Sequence, residues 1–199
     1  SRDNNLRSDS SMEKLSKLKP AFDRVNGSLT AGNSSPLTDG ASCLLLASED
    51  WARERNQPVL AYLTFSELAA IEYIEQKQNL LLAPVYASAR MLKRAGLRLQ
   101  EFDFYEIHEA FAAQVLTTLK IWDSAELSKW FGLDQPLGSI DKAKLNVKGS
   151  SLAAGHPFAA TGGRVIATMA KLLYEKGSGR GFISVCAAGG QGITVIMER

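Results

Sequence analysis

The chain has 199 residues, 45% hydrophobic and 22% charged, with a formal net charge of +2, a balance that predicts a globular fold with a sizeable core. Basic residues are interspersed with acidic ones, which excludes a nucleic-acid-binding face and any polyelectrolyte partner. No apolar run approaches the ~20 residues needed to cross a bilayer, and Cys43 and Cys186 form no disulfide framework, so a reducing compartment is expected.

Ser1-Arg2-Asp3-Asn4-Asn5 is neither a start methionine nor a signal or transit peptide. Ser10-Ser11-Met12-Glu13 has capping-box spacing and predicts a short helix through Lys17, stopped by Pro20. Asn33 to Gly40 is rich in turn formers. The small apolar run Ala41 to Ala47 then predicts a buried strand, with Cys43 as a packing residue of the core. Ser48-Glu49-Asp50 opens a helix that Gln57-Pro58 ends, and a domain boundary falls there, giving units 1–56 and 57–199.

Val59 to Phe65 predicts the first strand of the second unit, while Glu67 to Asn79 has mixed periodicity and no assignment. Pro84 starts a helix that runs to Ala95 and closes on Gly96. Phe102 to Ile107 predicts a strand despite Asp103 and Glu106, followed by a helix from Glu109 to about Lys120. Trp122 to Gly138 holds an amphipathic piece with Leu127, Trp130 and Phe131 on one side, as packing or partner surface. Asn146 to Gly149 predicts a short strand, and Val165, Met169 and Leu172 mark one face of a helix ending at Gly177. Arg180 to Cys186 and Gly192 to Met197 alternate like an antiparallel closing pair. The pattern is α/β, a mixed sheet covered by helices, without internal repeats.

Three constellations carry chemistry. In Gly155-His156-Pro157-Phe158 the proline favours a helix's first turn, which puts His156 near the positive end of a helix dipole and keeps it neutral. A neutral, positioned imidazole suits a general base, whereas a lone histidine could equally bond a loop carbonyl. In His108-Glu109-Ala110-Phe111 the histidine follows a strand's carboxyl end, where α/β sheets gather ligands, and its plainer role is a helix cap; Phe111 is assigned to the core. Cys186-Ala187-Ala188-Gly189-Gly190 sets a thiol among small residues that leave room for a ligand, though in isolation it would be an inert buried cysteine. Two separated histidines and one late cysteine do not make a metal site, and neither a P-loop nor a dinucleotide fingerprint occurs.

In order and spacing these motifs, with Leu18-Lys19-Pro20-Ala21-Phe22 and Thr30-Ala31-Gly32-Asn33, resemble the C-terminal half of a thiolase over essentially the whole chain. The resemblance implies the second half of a two-half α-β-α-β-α sandwich, with residues 1–56 closing the first half and its coenzyme A loop region. The chain then begins partway through the family pattern, and the nucleophilic cysteine and targeting information lie in the earlier part. His156 would take that cysteine's proton. Cys186 would protonate the departing enolate and later deprotonate the CoA thiol, both forms being reachable from an ordinary thiol pKa of ~8.5. The amide of Ala188 would serve an oxyanion, Ser35 the pantetheine arm and Arg7 the nucleotide end of CoA.

His108 stands where most thiolases have asparagine, as a donor or an orienter of water, in a form similar to the beta subunit of the fatty-acid oxidation trifunctional complex. Ala83 and Ala159 replace family glycines. The implied activity is 3-ketoacyl-CoA thiolysis (acetyl-CoA C-acyltransferase) in fatty-acid β-oxidation, with short-chain acetoacetyl-CoA thiolysis or a non-catalytic acyl-CoA-binding or assembly module as alternatives. No cofactor or metal is expected, CoA being a substrate. Implied partners are acyl-CoA, a second or further copies in a homodimer or homotetramer, and a hydratase/dehydrogenase alpha subunit. The implied location is bacterial cytoplasm or mitochondria. This chain alone, lacking the nucleophile, is expected to be inactive.

Overall fold

The computed structural model describes residues 7–75 and 79–199. In chain order these form α1 (Met12–Ser16), α2 (Glu49–Glu54), β1 (Tyr62–Ala70), α3 (Ala83–Ala95), β2 (Phe104–Ile107), α4 (Ala112–Asp123), α5 (Ala125–Trp130), α6 (Ser151–Ala154), α7 (Thr161–Lys176), β3 (Arg180–Ala187) and β4 (Gln191–Glu198). One four-stranded sheet runs in the order β1-β4-β3-β2. The β3–β4 and β1–β4 pairs are antiparallel and the β2–β3 pair is parallel. Parallel neighbours need a long crossover, and here α4 to α7 supply it. The mixed sheet covered by helices is therefore as expected.

Strand alternation divides the core into two layers. Phe182 and Ile196 face α3 and α4, where they pack with Val85, Met91, Ile121 and Trp122. Ile183 and Val195 face α7 and pack with Val165, Met169 and Leu173. The helices form where the sequence marks them most sharply. In α3, Pro84 lies in the first turn and Gly96 caps the end at φ 66°. In α7, buried residues recur at helical period and Gly177 caps the end at φ 90°.

Several local expectations need correction. The predicted strand at 41–47 belongs to no ladder; Leu45 and Leu46 are each 72% exposed, and Cys43 is exposed rather than in the core. Its apolar side chains meet no partner strand among the described residues, and the segment is anchored instead by Ser42 Oγ donating to Ala160 O at 2.8 Å. In α1 the cap is Ser11, which accepts from Lys14 N, so the box predicted on Ser10 and Glu13 does not close. β1 starts at Tyr62, within the predicted strand, and runs through Ala70 into the unassigned stretch, part of which (76–78) lies outside the described residues. Asn146 to Gly149 is a turn, because Asn146 takes a left-handed φ of 49° that a strand cannot use.

The helix expected from Glu109 starts only at Ala112, because Ala110 O and Phe111 pair with Ser34 and Ser35 instead. Phe111 is accordingly half-buried in this loop junction, edge-on to Phe22, and not in the core. Leu127 and Phe131 do pack on the core, whereas Trp130 is 78% exposed and rests edge-on against Phe131.

Phe182 is fully buried at the centre of an aromatic cluster, with ring centroids 5.4 Å from Phe102, 5.8 Å from Trp122 and 6.2 Å from Tyr105. Phe182→Ala would leave those three rings around a void and is expected to cost about 3–5 kcal/mol in urea unfolding. A loss below about 1 kcal/mol would show that this cluster is not the packing centre of the sheet.

Candidate active site

Two imidazoles meet at the carboxyl end of β2. The His108 and His156 ring centroids are 4.2 Å apart, and Phe158 lies 4.8 Å from His156. They arrive by different routes. His108 leaves the end of β2, where its N–H donates to Ser184 O of β3 at 2.8 Å. His156 sits in the loop between α6 and α7, its N–H donating to Pro36 O at 3.1 Å. Gly155 makes that loop possible: it has φ 90°, and a Cβ there would stand 2.6 Å from Thr38 Oγ1.

The loop carrying His108 is held by side chains. Asn146 Oδ1 accepts from Ile107 N at 2.8 Å while its Nδ2 donates to Ile107 O at 2.9 Å and to Glu109 Oε1 at 2.8 Å. The asparagine amide thus replaces a strand partner at the end of β2. Glu109 Oε2 accepts from Leu152 N at 3.0 Å, tying the loop to α6. Released from the helix expected there, Glu109 serves as a brace.

Each ring has one nitrogen occupied. His156 Nδ1 lies 2.7 Å from Thr161 Oγ1, and that hydroxyl donates to Pro157 O at 3.2 Å. In the tautomer with Nδ1–H donating to Oγ1, the hydroxyl keeps its bond to Pro157 O and Nε2 carries a free lone pair, the form a general base needs. His108 Nδ1 lies 2.7 Å from Ser151 Oγ, which also accepts from Arg164 Nη2 at 3.1 Å.

The surroundings oppose positive charge on either ring. His108 is pushed down to about 3 by burial first, then by His156 and Arg164. His156 is lowered by burial and then by Arg164, and its ring lies against Thr161, the first residue of α7. α7 begins at Thr161, five residues beyond it, with Pro157 in the preceding turn. Ala159, where glycine was expected, has no left-handed φ and fits this turn without strain. Glu106, on the α7 face of β2, is fully buried with neither carboxylate oxygen hydrogen-bonded. Burial pushes it up to about 7 against the attraction of Arg164.

The remaining candidates are placed unevenly. Cys186 is buried, two residues beyond Ser184 on β3, or roughly 7 Å along the strand. Alternation puts it with Phe182 on the α3 face, opposite the face of Glu106 and Ile183. Burial pushes its thiol up to about 12, away from the ready ionisation expected. Ala188 is exposed in the β3–β4 turn. Ser35 N donates to Ala110 O at 3.0 Å, which docks its loop beside His108's. Arg7 is exposed ahead of α1, its carbonyl accepting from Ser10. Among the described residues no cluster suits a metal ion. Sequence reasoning missed Asn146, Ser151, Thr161 and Arg164. It had one signal for Glu106: a carboxylate in an otherwise apolar strand, two residues before a histidine.

The fold and this paired-histidine site define an α/β protein with a mixed sheet and a loop-built site at a strand's carboxyl end. The thiolase C-terminal domain family matches residues 59–199 and the thiolase N-terminal domain family residues 1–50. The chain belongs to the thiolase family. It is 46% identical over 198 residues to a 3-ketoacyl-CoA thiolase of Shewanella loihica, covering 99% of this chain and 45% of that protein. It is 45% identical over 199 residues to one of Pectobacterium carotovorum subsp. carotovorum, covering 100% and 45%. Among solved structures it is similar to a Bacillus anthracis acetyl-CoA acetyltransferase, with a TM-score of 0.81 and 34% identity over 99% of this chain and 45% of that one. It is also similar to human mitochondrial 3-ketoacyl-CoA thiolase in complex with CoA, with a TM-score of 0.76 and 31% identity over 98% and 44%. The chain thus spans less than half the length of the relatives it matches.

Glu106 and His108 give opposite pH dependences. A carboxyl raised from 4.5 to about 7 binds more protons folded than unfolded, so its share of stability is present below 4.5 and lost as pH rises to 7. An imidazole lowered from 6.5 to about 3 does the reverse, and its share is lost as pH falls from 6.5 to 3. Glu106→Gln removes only the first effect. Urea unfolding should therefore show the variant gaining on the parent by up to about 3 kcal/mol between pH 4.5 and pH 8. A constant difference across that range would mean that Glu106 is not held protonated by burial.

Proposed function

We propose that this chain supplies the C-terminal part of a 3-ketoacyl-CoA thiolase (acetyl-CoA C-acyltransferase), cleaving 3-ketoacyl-CoA with CoA to acetyl-CoA and a shortened acyl-CoA in fatty-acid β-oxidation. The observation that carries the reading is the pair of imidazoles 4.2 Å apart, one of them held through Nδ1 by Thr161. Family membership and the names of the relatives support it. The nucleophilic cysteine is assigned to sequence outside these 199 residues.

In the proposed reaction His156 Nε2 takes the thiol proton of that cysteine, and the thiolate adds to the 3-keto carbon of the substrate. The resulting imidazolium, costly beside Arg164, is balanced by the thiolate and then by the oxyanion. The bond between the α- and β-carbons breaks, leaving an acyl-enzyme and the enolate of acetyl-CoA. Cys186 then gives its proton to the enolate carbon. The thiolate left behind takes the proton of incoming CoA, whose sulfur displaces the acyl group and returns the nucleophile, which regains its proton from His156. A thiol held protonated by burial suits the donating step. His108 is assigned to the oxyanion side, with the Ala188 amide as a further donor.

Ser35 and Arg7 are assigned to the pantetheine arm and nucleotide end of CoA, a ligand carried by the human relative's structure. Residues 1–56 and 57–199 are assigned to two units, and the bond from His156 N to Pro36 O links them in this reading. No cofactor enters the reaction, since CoA is a substrate. Assembly as a homodimer or homotetramer, and with a hydratase/dehydrogenase alpha subunit, belongs to the same proposal and is supported by family membership.

One observation favours a second reading, an acyl-CoA-binding or assembly module without turnover. Of this chain's two cysteines, Cys43 lies exposed in a loop, and burial pushes the Cys186 thiol up to about 12, away from a ready thiolate.

CoA-dependent cleavage of 3-ketoacyl-CoA substrates of graded chain length by the complete protein separates the readings. Turnover is expected, with His156→Asn lowering kcat by ~10²–10⁴-fold. Activity confined to acetoacetyl-CoA would select the short-chain alternative, and none above background at any length would select the binding module.

A further inference from the structure

We propose that Ser151 and Arg164 are positioning residues that lock His108 in the tautomer carrying its proton on Nε2. The argument is a proton count. Arg164 is a donor only, so Ser151 Oγ must accept from Nη2 at 3.1 Å. Ser151 is fully buried, and its hydroxyl proton has one hydrogen-bond acceptor among the described residues, His108 Nδ1 at 2.7 Å. A nitrogen that accepts cannot also carry a proton, so the neutral ring carries it on Nε2.

Arg164 is well chosen to enforce this. Its charge disfavours a second proton on His108, as burial does. With His156 in its Nδ1–H form the two neighbouring rings are opposite tautomers, His156 offering a lone pair and His108 an N–H. On the thiolase reading, on which this purpose rests, the N–H of His108 faces the thioester oxygen as a donor that needs no rearrangement when charge develops.

The chain has two histidines, so the full chain labelled with ¹⁵N-histidine gives one ring pattern for each. Long-range ¹H–¹⁵N correlation at neutral pH reads each tautomer directly, and His108→Gln assigns the signals. The expected result is Nε2–H for His108 and Nδ1–H for His156. Ser151→Ala should move His108 to a mixture or to the Nδ1–H form. Arg164→Met should do so in part, with Arg164→Lys restoring the parent pattern. A parent His108 in the Nδ1–H form overturns the proposal even if no variant folds. So does an unchanged pattern in a folded Ser151→Ala variant.

Kinetics of the complete protein separate the lock from the reaction assigned to it. Ser151→Ala should lower kcat by roughly 10-fold or more with KM little changed, within the ~10²–10³-fold cost of losing an oxyanion donor. A shifted tautomer with kcat unmoved would support the lock and reject the thioester role given to His108.

Discussion

Two imidazoles packed 4.2 Å apart, one fully buried and both beside a guanidinium, leave no room for positive charge. The surrounding polar structure follows from that constraint. Every nitrogen turned into the protein needs a partner of fixed direction, which Ser151 and Thr161 provide. The guanidinium pulls against the burial that keeps the unbonded Glu106 carboxyl hard to ionise. The two backbones need clamps, which Asn146 and Glu109 supply on one side and Pro36 on the other. Few of these groups sit on the rigid sheet. The site instead joins the end of β2 to three loops, each tied down by hydrogen bonds between residues far apart in sequence.

That construction explains what the sequence made legible and what it hid. The elements with strong local signals formed as expected: α3 between Pro84 and Gly96, α7 ending at Gly177, and the alternating pair β3 and β4. Failures came where distant pairing overrides local preference. Glu109 to Phe111 has helical character, yet a ladder-like contact with Ser34 and Ser35 keeps it extended and pushes α4 to Ala112. Ala41 to Ala47 has the composition of a buried strand, but composition does not supply neighbours, and among the described residues none pairs with it.

The candidate site was legible in its reactive groups and hidden in its supports. His108 and His156 stood out through the short motifs around them, and the fold brings their rings together. Asn146, Ser151 and Thr161 did not, since a small polar residue near a glycine describes most turns. Their roles depend on contacts across 37 to 43 residues for Asn146 and Ser151, and on the exact start of α7 for Thr161. Burial and Arg164 lower His156, at the start of α7, in a way the local motif did not announce.

The central claim is that both rings are neutral because they are buried together beside Arg164. A pH titration of the two histidine rings in the full chain, followed by NMR, tests it most directly. The account predicts that both titrate below the ordinary histidine value of 6.5, with His108 near 3 and the lower of the two. Either ring titrating at or above 6.5 would contradict it.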